Sequence, residues 1–204
     1  MHEQRKAAKE VFEKYQNKYA KVFKCLYPAK NSTGFPERNL SVNFSKAVEE
    51  IFPSACTWFE FQFGPKNNFH FDAVIIVPEI KTILIVESKR FSNPTVKTEE
   101  IRSDMDRVNK VKKDYFSEFA DRIPGFSDFA VCGVILADVW TETKRKEKIK
   151  ESFEKGNFVE TFLPLSEEDQ FHNGSYYVCG FDGVTEYQWV NKNYYLVSMM
   201  WEVL

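Results

Sequence analysis

The stretch that most constrains this chain runs from His70 to Arg90, HFDAVIIVPEIKTILIVESKR. It holds two apolar runs, 71–77 and 82–86, around Pro78-Glu79-Ile80-Lys81. Two β-rich runs joined by a short polar segment with a proline predict a β-hairpin. A loop over 78–81 sets its register. Val77 then faces Thr82, Ile76 faces Ile83, Val74 faces Ile85 and Asp72 faces Glu87. Side chains alternate along a strand, so Lys89 shares the face of Glu87. The hairpin thus gathers two acids and a lysine at the open end of an apolar ribbon. Like charges directly opposed destabilise a strand pair unless something neutralises them. A bound divalent cation would do so. A slip of one residue would separate Asp72 from Glu87 and Lys89.

The hairpin is set in a regular order of elements. Residues 3–27 predict a helix, with Ala8, Val11, Phe12, Tyr15, Tyr19, Val22, Phe23 and Leu26 on one face. Pro28 closes it. The segment 31–38 (NSTGFPER) reads as a turn-rich connection. A shorter helix follows from about Val42 to Phe52, with Glu49 and Glu50 flanking its apolar stripe. Thr57 to Phe63 alternates as a strand, and 64–68 turns into the hairpin. Asn93-Pro94 then offers a cap and a first helical residue for a helix over 95–120. Residues 129–139 (FAVCGVILADV) predict a strand buried on both faces. Residues 142–155 predict a highly charged helix. Beyond it the chain is β-rich, at 175–181, 186–190 and 194–203. No repeat or linker divides it, so a single domain spanning 1–204 is expected.

Composition narrows the function. Acids and bases nearly balance, with a net charge of -2, so no global basic field points to nucleic acid. The balance is local instead. Residues 1–30 hold eight Lys/Arg against three acids, which permits an anionic partner on that side. No apolar run approaches the roughly 20 residues of a membrane span, so no membrane partner is expected. The four cysteines are scattered and form no CxxC. They predict buried free thiols and a cytoplasmic protein rather than a zinc site or a disulfide framework. There is no P-loop, GxGxxG, GxSxG or HExxH.

Glu-x-Lys alone is weak, since the chain contains it at Glu79–Lys81, Glu87–Lys89 and Glu142–Lys144. Context separates the three. Only Glu87 and Lys89 end a buried-type strand paired in register with an aspartate. The first copy lies in the hairpin turn, and the third opens the charged helix.

With Asp72, Glu87 and Lys89 placed this way, residues 42–139 resemble the PD-(D/E)xK nuclease superfamily. Asp72 matches its first acid, Glu87 the second and Lys89 the lysine. Phe71 stands where the family often carries a proline. Glu49 or Glu50 would match the acid that many members carry on the first core helix. The resemblance implies an α/β, restriction-endonuclease-like fold. That fold has a central mixed sheet with an α-β-β-β-α-β core flanked by helices. Here it would carry an added N-terminal helix and a β-rich C-terminal extension.

The resemblance further implies a metal-dependent endonuclease that hydrolyses phosphodiester bonds, with DNA as the expected substrate. Asp72 and Glu87 would hold Mg²⁺, with Mn²⁺ as a substitute. Lys89 would orient or deprotonate the attacking water, or stabilise the transition-state charge. His70, Arg90, Lys97 and Gln62 are the candidate substrate contacts. Many enzymes of this fold act as dimers, so a homodimer is a further expectation. The rival expectation is a catalytically inactive module of the same fold that binds nucleic acid or a protein partner.

Overall fold

The structure is a computed structural model that describes residues 2–26, 36–63, 69–91, 94–140, 148, 151–152, 155, 175–180 and 194–203. In helix α1 (His2–Leu26) Ala8, Val11, Phe12, Tyr15 and Tyr19 of the expected stripe are buried, the two tyrosines fully. Helix α2 (Arg38–Ile51) begins a full turn earlier than the sequence suggested. Leu40 explains the difference. It lies four residues before Phe44, is just as deeply buried, and extends the stripe backwards. The earlier start leaves Glu37 at the N-cap of α2.

The sheet is six-stranded and mixed. Its strands are β1 (Cys56–Phe63), β2 (Phe69–Val77), β3 (Thr82–Phe91), β4 (Ala130–Trp140), β5 (Ser175–Gly180) and β6 (Tyr194–Glu202). Their spatial order is β1-β2-β3-β4-β6-β5. Strands β1, β2 and β3 pair antiparallel, β3 and β4 pair parallel, and β4, β6 and β5 return to antiparallel pairing. A parallel pair needs a long crossover, and helix α3 (Pro94–Asn109) lies within it. An α/β fold with a mixed sheet and flanking helices is therefore present.

The hairpin register is the one that the loop length predicts. Val77 pairs with Thr82, Ile76 with Ile83 and Val74 with Ile85. The connection is a 3-10 turn, Pro78–Ile80, closed by Lys81 in the left-handed region at φ 47°. Paired positions run as far as Ala73 and Val86. Beyond them Asp72 turns its carboxylate to the neighbouring backbone.

Two cores sit on the two faces of the sheet. Helices α1 and α2 cover Ala73, Ile75, Val77, Leu84, Val86, Val134 and Leu136. Helix α3 and the segment after it cover Phe71, Val74, Ile83, Ile85, Ile135 and Val197. Regular alternation along β1 and β2 fails at one place. Phe59 and Ala73 pack on the α2 side, whereas Phe61 and Phe71 pack on the α3 side. The change occurs at Glu60, whose φ of 52° is left-handed. Asp72 lies between the flanking pairs Phe59–Ala73 and Phe61–Phe71. His70 therefore does not follow Asp72 by simple alternation.

Two further expectations are corrected. Helix α3 ends at Asn109 rather than near 120, and a 3-10 helix, Lys113–Phe119, follows. Lys112 is extended and breaks the helix, which lets Phe116 reach Phe63 with ring centroids 4.7 Å apart. Cys25 and Cys56 are exposed and free, and Cys132 is the buried free thiol. Burial pushes the Cys132 thiol up to about 12, so it stays protonated and inert. The strand expected at 186–190, the turn at 64–68 and Asn93 lie outside the described residues. So does most of the charged helix at 142–155, where Glu151 and Lys155 pair at 2.5 Å.

Candidate active site

Strand β3 positions the first two site residues. Ile83 and Ile85 point into the core beneath α3. Glu87 and Lys89 continue that face beyond the apolar layer. Helix α3 meets them with charge. Lys89 Nζ lies 2.8 Å from Asp104 Oδ2, and Arg107 Nη2 donates to Glu87 Oε1. Arg107 Nη2 also pairs with Asp104 Oδ1 at 2.8 Å. Glu87, Arg107, Asp104 and Lys89 thus form one chain of ion pairs between strand and helix.

Asp72 joins from β2. Its Oδ2 accepts the Ser88 N–H at 2.7 Å, which fixes the carboxylate beside the Glu-Ser-Lys segment. Ser88 points to the opposite face, where its hydroxyl meets Ser41 Oγ at 2.7 Å. Glu37, at the start of α2, accepts the Arg90 N–H at 2.8 Å. It also lies close enough to influence both Asp72 and Lys89. Three elements, β2, α2 and α3, therefore converge on the end of β3.

The electrostatics follow from burial. Burial pushes the Glu87 carboxyl up to about 8 against the pull of Arg107, and Asp72 and Asp104 add to the rise. Burial also raises Asp72, opposed by the Ser88 N–H and Lys89 and assisted by Glu37 and Glu60. For Lys89 burial works against the charge, but Asp104 more than offsets it, so the ammonium is held above its ordinary value. Four carboxylates (Glu37, Asp72, Glu87, Asp104) face two cations (Lys89, Arg107). Fully ionised, the cluster carries an excess of negative charge at a poorly solvated place.

The other residues singled out from sequence lie elsewhere. Glu49 accepts hydrogen bonds from Ser45 and Thr57, at 3.1 and 2.8 Å. Glu50 pairs with Lys14 at 3.0 Å and with Lys18, tying α2 to α1. Both lie about 18 Å along the helix from Glu37, at 1.5 Å per residue. The structure therefore puts Glu37, not Glu49 or Glu50, beside the site. His70 is exposed and pairs with Glu60 at 3.2 Å. Gln62 is exposed beside it on edge strand β1, in register with His70. Lys97 pairs with Glu100 at 2.6 Å on α3. Arg90 adjoins Lys89 but alternates to the α2 side, where its Nε is buried without a partner among the described residues.

No family model, characterised protein or solved structure matches this chain.

Asp104, Arg107 and Glu37 are the residues that sequence reading missed. Asp104 carried a signal. Ile101, Asp104, Met105 and Val108 are all buried at helical spacing, so an acid stands inside an apolar stripe. Among the described residues no three His, Cys, Asp or Glu side chains converge closely enough to hold a metal ion between them. Mg²⁺ needs less than that, because it keeps several waters and takes one or two protein carboxylates. The bonds described above use Asp72 Oδ2 and Glu87 Oε1 and leave the second oxygen of each acid over. Two hard-oxygen donors in a cluster with excess negative charge fit Mg²⁺ or Mn²⁺.

Proposed function

We propose that the chain is a metal-dependent nuclease of the restriction-endonuclease-like fold, acting on phosphodiester bonds of DNA. One observation carries the reading. Asp72 accepts the Ser88 N–H beside Glu87 and Lys89, at the end of a hairpin paired from Ala73–Val86 to Val77–Thr82, which supports the PD-(D/E)xK reading. The order of elements supports it, with α2, three antiparallel strands, crossover helix α3 and a parallel fourth strand.

Asp72 and Glu87 would hold the ion, and Glu37 is the nearest further carboxylate from the first core helix. When bound, the ion polarises a phosphoryl oxygen and lowers the pKa of water. Lys89 is the group that meets the attacking water or the developing charge. Asp104 acts through Lys89, fixing its ammonium and its charge, and is a positioning residue.

A plasmid-nicking assay with Mg²⁺ tests the proposal. Wild type should nick supercoiled DNA, and Asp72→Asn and Lys89→Met should each lose at least about a hundredfold, as loss of a direct chemical role implies. Equal activity in all three proteins would overturn it.

One observation favours a second reading, a non-catalytic nucleic-acid-binding or protein-interaction module. Glu87 and Lys89 already have partners in Arg107 and Asp104. That module would bind DNA in a salt-sensitive way without cutting it, or would not bind DNA at all.

A further inference from the structure

Arg107 occupies the position of a cation. It donates to Glu87 and to Asp104 on its own helix. Its guanidinium lies over the Phe71 ring, 5.4 Å from the centroid. This seat is incomplete, because Arg107 Nε is buried and has no hydrogen-bond partner among the described residues. A buried donor left unmet weakens the position that buries it. The side chain also has a way out. It is 34% exposed, against 3% for Glu87 and 6% for Asp104.

We propose that Arg107 is a resident cation that occupies the Glu87 carboxyl in the metal-free protein and is displaced from it when a divalent cation binds. The inference rests on the metal-dependent reading above and assigns a role to a residue outside Asp72, Glu87 and Lys89. Glu87 is nearly enclosed, so an approaching ion meets the guanidinium at the same carboxylate. Two cations there repel, and the smaller, doubly charged ion gains more from hard carboxylate oxygens. Lys89 is less free to move aside in its place, because it is 18% exposed and is held by buried Asp104. The same Nη2 binds Glu87 and Asp104, so one rotation of this side chain releases the Glu87 bond. Until the ion arrives, the guanidinium keeps the buried Glu87 carboxyl oxygen hydrogen-bonded.

Two measurements test the proposal together. Mn²⁺ is titrated calorimetrically into wild type, Arg107→Ala and Arg107→Lys, with circular dichroism confirming that each is folded. The Arg107 Nε–H resonance of uniformly ¹⁵N-labelled wild type is followed during Mg²⁺ titration. The expected result is about tenfold tighter Mn²⁺ binding by Arg107→Ala, since the ion no longer breaks a charge-assisted bond. Arg107→Lys should fall between the two, and the wild-type resonance should shift in step with binding. Wild type alone decides the matter if Arg107→Ala does not fold. An unmoved resonance at saturating Mg²⁺ would overturn the displacement, even if Arg107→Ala bound more tightly through lost repulsion. An absence of heat in every folded protein would remove the metal reading itself, and the displacement with it.

Discussion

Glu87 brings a carboxyl group into a nearly closed space, and its charge then depends on what accompanies it. Its pKa is raised from 4.5 to about 8, chiefly by burial. Between those values the folded metal-free protein holds a proton that the unfolded chain releases. Its stability should therefore be greatest at the acidic end of that window and fall as pH rises through it. Glu87→Gln, which keeps the shape and remains an acceptor for Arg107, should lessen the decline. Thermal melts of both proteins between pH 5 and pH 8 check this, and parallel declines would count against it.

Ser41 and Ser88 offer a second test at the scale of single residues. Their hydroxyls satisfy each other in a buried place between α2 and β3. Ser88→Ala should cost about 1–3 kcal/mol by leaving Ser41 unmet. Adding Ser41→Ala should cost less than the sum of the two single changes. Denaturant titrations of the three variants measure the coupling. Additive losses would mean that the two hydroxyls act independently. Asp104 and Arg107 show why part of this site was hidden from sequence. Their partners lie on β3, fifteen or more residues away in the chain, and only the crossover brings them together. Asp104 could still have been noticed, as an acid in an apolar stripe.

At the scale of elements, the hairpin was legible because its register depends on local quantities, the loop length and the alternation of two apolar runs. Helix α2 was less so. Pro36 and the turn-rich residues before it concealed a start at Arg38, and with it the position of Glu37. The face change at Glu60 and Asp72 was not legible at all, since nothing in TWFEFQFG marks a left-handed glutamate. The joining of β4 to β6 gives an element-scale prediction. Gly133 faces Trp201 on the neighbouring strand, and a Cβ added to it would lie 2.3 Å from the indole ring. That indole also donates from Nε1 to Asn109 Oδ1, at 2.8 Å, linking β6 to the end of α3. Gly133→Ala should destabilise the protein by about 1–3 kcal/mol, as overpacking does. Gly133→Ala with Trp201→Phe should recover part of the loss. A variant as stable as wild type would mean that Trp201 moves without cost.

For the whole molecule, the sheet works as a divider. Helices α1 and α2 close one face, α3 closes the other, and the end of β3 is where both sides reach the same residues. Glu37 comes from one side, Asp104 and Arg107 from the other, and Asp72 from the adjoining strand. No helix among the described residues is long and apolar enough to cross a membrane. The α-β-β-β-α-β order was readable because each element has its own periodicity. The order of β6 and β5 beyond β4 was not, because it depends on pairing between distant segments. On the metal-dependent reading proposed above, this convergence would hold a divalent cation at Asp72 and Glu87. Anomalous scattering from a crystal soaked in Mn²⁺ tests it most directly. One strong peak beside Asp72 and Glu87 is expected, absent in Asp72→Asn. A fully soaked crystal with no peak there, or with Mn²⁺ only at surface acids, would contradict it.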